Sequence, residues 1–112
     1  MSSDTQEFME ALDDLEGGLD QTVEMAQRMK QRITELRKAR AEGRPLCEIV
    51  PEEQPPLIVQ LITESTNVLH TCGNRVRRTE AQALHREGMT MDEIAKLFGV
   101  TRQRVSALLR DS

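Results

Sequence analysis

Near the C-terminus Arg102, Gln103, Arg104, Ser106 and Arg110 fall within nine residues, and all five are types that grip polyanions or read base edges. Arg presents a forked donor pair that fits guanine O6 and N7, Gln does the same for adenine N6 and N7, and a hydroxyl bonds to either. On a helix, the 3.6-residue period turns Val105 and Leu108 to one side while their neighbours face out. Such a helix buries one face and offers the other to a ligand. Thr101 stands just before it and Thr90 lies one short element upstream. Arg75, Arg77 and Arg78 stand ahead of both as candidate phosphate contacts, as solvated side chains, or as partners of the acidic first helix of a neighbouring copy.

Other chemistries lack their parts. There is no Gly-rich phosphate loop, nucleophile elbow, H-E-x-x-H or paired-carboxylate setting, so no enzyme and no cofactor is expected. Cys47, His70, Cys72 and His85 are zinc-ligand types, but no C-x-x-C or H-x-x-x-H pair defines half a tetrahedron, and no metal is expected. Two cysteines are too few for a disulfide framework. As thiols they are expected to be small buried hydrophobes.

The elements that must hold these side chains follow from local signals. A helix from about Arg75 or Thr79 ends at Gly88, a stop residue. Thr90 with Glu93 three residues on forms a T-x-x-E capping box for a helix over Met91 to Phe98, closed by Gly99. Thr101 caps the next helix, 102–110. Ala95 is small where a following helix crosses, Gly99 suits the turn, and Val100 is expected to plug the angle between helices. Ile94, Phe98, Val105 and Leu108 are the expected shared core.

This segment, with the string E-I-A-K-L-F-G-V-T-R-Q-R-V, resembles a helix-turn-helix DNA-binding unit. It is similar to the promoter-reading C-terminal module of bacterial sigma factors and to small regulators, over residues 75–112 alone. The resemblance implies a recognition helix over 101–110, with Thr101, Arg102, Gln103, Arg104 and Ser106 at the DNA-facing positions. A sigma factor's other promoter and polymerase regions are missing, so transcription initiation by itself is not implied.

The rest of the chain reads as helical support. Residues 4–42 predict one long helix, opened by Ser3 or Asp4 with Gln6 or Glu7 in the reciprocal capping position and stopped by Gly43. Phe8, Leu12, Leu15, Leu19, Thr22, Ala26, Met29, Ile33 and Leu36 recur at alternating spacings of four and three, a narrow heptad seam that asks for a partner helix, either the second helix of the same chain or the first helix of another copy. Gly17 and Gly18 predict a kink or break. Residues 43–56 form a Pro-rich linker in which Leu46, Ile49 and Val50 are expected to tuck in as an extended piece. Pro56 suits the first turn of a second helix, 57–74, with a broader apolar stripe; whether it stops at Gly73 or runs into residues 75–87 is open.

Charge is divided along the chain of 112 residues, whose net charge is −4. Residues 1–27 carry eight acids and no Lys or Arg, while 28–40 carry six bases against Glu35. Residues 75–112 hold eight bases and five acids. An acidic total therefore does not exclude nucleic acid. Two first helices side by side and antiparallel set acidic against basic halves, whereas a parallel in-register pair sets like against like.

The seam residues Phe8, Leu12, Leu15, Leu19, Met29, Ile33 and Leu36 are therefore the expected dimerisation set. There is no Trp or Tyr and only Phe8 and Phe98, which fits a helical core and not a β-sandwich. No apolar run of membrane length and no signal peptide is present, so a cytoplasmic, nucleoid location is expected.

The expectation is an all-α, homodimeric double-stranded DNA-binding protein, a transcriptional regulator, with DNA contacts from Thr90, Thr101, Arg102, Gln103, Arg104, Ser106, Arg110, Arg77 and Arg78. Two alternatives stand beside it. One is a nucleoid protein that bridges DNA with weak sequence preference. The other is an adaptor that binds RNA polymerase or another regulator.

Overall fold

A computed structural model describes residues 2–110. The chain is all-α, with no strand among the described residues. Helix α1 is Ser3–Ala41, α2 is Leu46–Ile49 followed by a 3-10 turn at Val50–Glu52, α3 is Ile58–Arg86, α4 is Met91–Phe98 and α5 is Arg102–Arg110. Among the described residues no helix is long and apolar enough to cross a membrane.

The start of α1 corrects the expected cap. Ser2, not Ser3 or Asp4, accepts the backbone N–H of Thr5 at 3.2 Å, and its hydroxyl also pairs with that of Thr5 at 2.9 Å. At the other end the helix closes through Gly43, with Arg44 N–H donating to the Ala39 carbonyl and Gly43 N–H to that of Arg40. The expected break is absent: α1 runs unbroken through Gly17 and Gly18. A cost of about 1 kcal/mol per glycine is small beside the packing along so long a helix. The glycine pair instead marks where the chain divides into two compact units, Gly18–Leu69 and Met1–Gly17 with His70–Ser112.

In the unit Gly18–Leu69, Met25, Ile49 and Leu61 are the buried apolar side chains. Ser65 on α3 donates to the Met25 sulfur at 3.6 Å. The linker is helical here, not extended, and α2 is what buries Ile49. Arg32 fastens it. Its Nη1 donates to Glu53 Oε1 at 3.3 Å, to the Pro56 carbonyl at 3.1 Å and to the Gln54 carbonyl. Glu53 Oε1 in turn accepts the N–H of Ile58 at 2.7 Å, and Gln60 Oε1 accepts that of Leu57 at 2.7 Å, so two side chains satisfy the start of α3. That helix begins at Ile58, two residues later than a Pro56 first turn requires. Cys47 is exposed, not buried.

In the other unit the opening turns of α1 meet the C-terminal part of α3. Ala11 is fully buried, Arg75 pairs with Asp14 and lies 3.9 Å from Glu10, and Cys72 donates to the Asp14 carbonyl at 3.8 Å. Cys72 is therefore half-buried and bonded to backbone, not a core thiol. The question at Gly73 resolves in favour of one helix, since α3 continues to Arg86. Thr79 is buried inside it, and its hydroxyl donates to the Arg75 carbonyl at 2.7 Å.

Candidate nucleic-acid interface

The last turns of α3, with α4 and α5, surround one core of Ala81, Ile94, Ala95, Val105 and Leu108, edged by Leu84, Met89, Met91, Phe98 and Leu109. Ala81 and Ala95 are the small members of this core, and Ile94 and Val105 have no exposed surface. Burying two branched side chains this fully gives about 3–6 kcal/mol against leaving them in water. That core makes the outward face of α5 a fixed platform.

Three local devices set the angles. At Gly88 (φ +109°) α3 ends with Met89 N–H donating to the Leu84 carbonyl at 3.1 Å. Thr90 then opens α4 with the reciprocal box: Glu93 N–H donates to Thr90 Oγ1 and Thr90 N–H donates to Glu93 Oε1, both at 3.1 Å. The backbone N–H of Thr90 first, and the Thr90 hydroxyl second, hold the Glu93 carboxyl below its usual range. Gly99 (φ +69°) closes α4, with its own N–H and that of Val100 directed to the Ala95 carbonyl. Two residues on, Thr101 caps α5 by accepting the Arg104 N–H at 3.1 Å.

Val100 and Phe98 differ from expectation. Val100 is 40% exposed and lines an open cavity with Phe98 and Leu108, where a buried plug was expected. Phe98 is only half-buried and edges the core. Leu97 is 62% exposed, so the corner between α4 and α5 is apolar and open.

Of the side chains singled out above, Arg102, Gln103, Arg104 and Arg110 are exposed along α5, and Ser106 is half-buried. Thr101 and Thr90 are exposed, but both hydroxyls are engaged as caps. Arg102 Nε lies 3.8 Å from Asp92 Oδ1, an exposed pair that holds its side chain only weakly. Arg77 is exposed and donates to Asn74 Oδ1 at 3.1 Å, while Arg78 is half-buried. Arg77 and Arg104 line one cavity of about 360 Å³ with Glu80, Leu97, Phe98, Val100 and Leu108, so α3 and α5 bring cations to the same place. Arg75 is occupied by Asp14 and Glu10.

Sequence reasoning passed over Asp92 and Lys96. Both are exposed on α4, at positions its inward stripe of Met91, Ile94, Ala95 and Phe98 leaves outside. The amphipathic period of α4 was the signal that marks them. The seam of α1 splits in two: Phe8, Leu15, Thr22, Met29 and Leu36 are half-buried within the chain, while Leu12, Leu19, Ala26 and Ile33 are exposed. Among the described residues no cluster of three His, Cys, Asp or Glu could hold a metal ion. Compared with protein families, with curated proteins and with solved structures, the chain matches none.

Proposed function

We propose that this chain is a double-stranded DNA-binding protein, a transcriptional regulator that acts as a homodimer and inserts α5 into the major groove. The observation that carries the reading is the division of α5 into a buried side, Val105 and Leu108, and an exposed side with Arg102, Gln103, Arg104 and Arg110. Within Arg102–Arg110 there are three Arg and no acid. Two Arg and a Gln on the first turn of a capped helix have the donors for guanine and adenine edges. A single tri-helical unit buries little surface on DNA, so two copies on one site gain effective concentration. Location with the nucleoid belongs to this reading.

Fluorescence anisotropy on a pool of random duplexes, followed by selection of bound sequences, tests it. Enrichment of a site with two-fold symmetry is the expected result. Salt-dependent binding without enrichment favours a nucleoid protein with weak sequence preference. A second reading, contact with RNA polymerase or another regulator, is favoured by exposed Leu97 and Val100 beside Arg77 and Arg104. Binding that is lost in Leu97→Glu but kept in Arg102→Ala would favour it.

A further inference from the structure

In the unit Gly18–Leu69 the α1 residues that are buried or half-buried recur at spacings of four and three: Gly18, Thr22, Met25, Met29, Arg32, Leu36 and Ala39. Those on α3 are Ile58, Leu61, Ser65 and Val68. Met25 stands level with Ser65, and Arg32 with Pro56, so the two helices run antiparallel here. Each helix then has two flanks beside its inward row.

One flank holds the residue that follows each of Gly18, Met25 and Arg32 on α1, namely Leu19, Ala26 and Ile33. Its counterparts after Leu61 and Val68 on α3 are Ile62 and Leu69. In an antiparallel pair these two flanks lie on the same side, because reversing one helix reverses its sense of rotation. That side is apolar and open: Leu19 is 46%, Ile33 37%, Ile62 51% and Leu69 40% exposed, with Val23 and Val59 beyond them at 57% and 65%. The opposite side carries Gln21, Arg28 and Glu35 on α1 and Glu64 on α3. Two helices side by side therefore show one polar and one apolar face.

We infer that the apolar face is covered by the same face of a second copy, forming a four-helix bundle in which α1 lies antiparallel to the partner's α1. The inference deepens the homodimer part of the proposed function and rests on it. Charge order selects the occupant. Residues 1–27 carry eight acids and no Lys or Arg, and 28–40 carry six bases and one acid. Glu10 and Asp14 are paired with Arg75, Arg32 is held by Glu53 and Arg28 lies on the polar side, so what an antiparallel pair of α1 helices brings together, twice over, is the remaining acids of 1–27 with Lys30, Arg37, Lys38 and Arg40, charges that an unrelated apolar helix does not match. The unit also buries only Met25, Ile49 and Leu61 among its apolar side chains, so it has much to gain from a second layer.

Light scattering on the full chain without DNA tests the assembly separately from DNA binding. The expected mass is twice 12.7 kDa. Leu19→Lys with Ile62→Lys is expected to give the single-chain mass with helical circular dichroism retained, since both side chains are exposed. Gln21→Lys with Glu64→Lys, on the polar face, is expected to keep the doubled mass. If the Lys pair on the apolar face loses its helical signal, Val23→Glu with Val59→Glu replaces it.

A parent chain of single mass, a doubled mass that survives the apolar-face variants, or equal loss in both pairs overturns the inference. Orientation is read from spin labels at Lys38→Cys in a Cys47→Ser, Cys72→Ser background. At 1.5 Å per residue the antiparallel arrangement separates the two labels by roughly 35–50 Å. A separation under about 15 Å overturns it. DNA binding that fails while the doubled mass holds removes the DNA reading and leaves the bundle standing.

Discussion

Arg75 on α3 is paired with Asp14 on α1, with Glu10 close behind. Arg75, Arg77 and Arg78 stand close together on α3, and this pairing separates the first two: Arg75 is neutralised within its own unit, while Arg77 donates to half-buried Asn74 and lines the cavity that Arg104 shares. Arg77→Ala is expected to lower the log–log salt slope of DNA binding by about 0.9, the release of one counterion. Arg75→Ala is expected to leave the slope unchanged and to cost at most about 1 kcal/mol of stability, because the pair is largely exposed. Equal slopes for the two variants would remove the distinction.

On α5, Arg102→Ala and Gln103→Ala are each expected to cost about 1–3 kcal/mol of binding with little change in melting temperature, as loss of a base contact does. Val105→Asp buries an unpaired charge and is expected to melt the tri-helical unit and abolish binding together. If all three α5 side chains, Arg102, Gln103 and Arg104, are replaced singly by Ala and the parent affinity persists, α5 is not the reading helix.

The capping box gives a pH prediction. Glu93 is held below its usual range by Thr90, so its contribution is fully present above the unfolded carboxyl's pKa and is lost as pH falls through the lower folded value. Thermal unfolding of Glu93→Gln is expected to lose part of the acid-side dependence shown by the parent chain. Thr90→Ala removes the other half of the box and is expected to cost about 1 kcal/mol. Superimposable pH curves for the parent and Glu93→Gln would contradict this.

Arg32 makes three hydrogen bonds across the linker. Arg32→Ala is expected to destabilise the chain by about 2–3 kcal/mol, measured by urea denaturation, since the bonds involve a charged donor and a largely buried carboxylate. Arg32→Lys is expected to recover less than half, because the ammonium sits one bond nearer the backbone and does not reach the place from which Nη1 donates to all three acceptors.

The terminal elements were legible because each is announced by a residue with one local job. Thr90 and Glu93, Thr101, Gly43, Gly88 and Gly99 all act where their types predict. The inward row of α1 was legible only by half. Its second set, Ala11, Gly18 and Met25, includes residues too small to register as apolar, and their smallness is what brings a neighbouring helix close. The larger Leu12, Leu19 and Ile33 one position on drew the periodicity toward themselves and are exposed. Val100 was misplaced for a different reason: apolar type beside a tight turn does not say which way the turn sends the side chain. The helical α2 was hidden by four prolines in 14 residues, although Pro45 stands just before its first turn, where no N–H is needed.

The Arg32 clamp bears on which changes the linker tolerates. Two of its three acceptors are backbone carbonyls, those of Gln54 and Pro56, so Arg32 is indifferent to the side chain at position 54. Length is another matter. Glu53 must reach both Arg32 and the N–H of Ile58, which lies five residues beyond it. Related sequences that keep this clamp are accordingly expected to vary in residue type at 54 and to hold the spacing from 53 to 58 constant, a signature of insertion intolerance in a segment whose composition resembles a permissive loop.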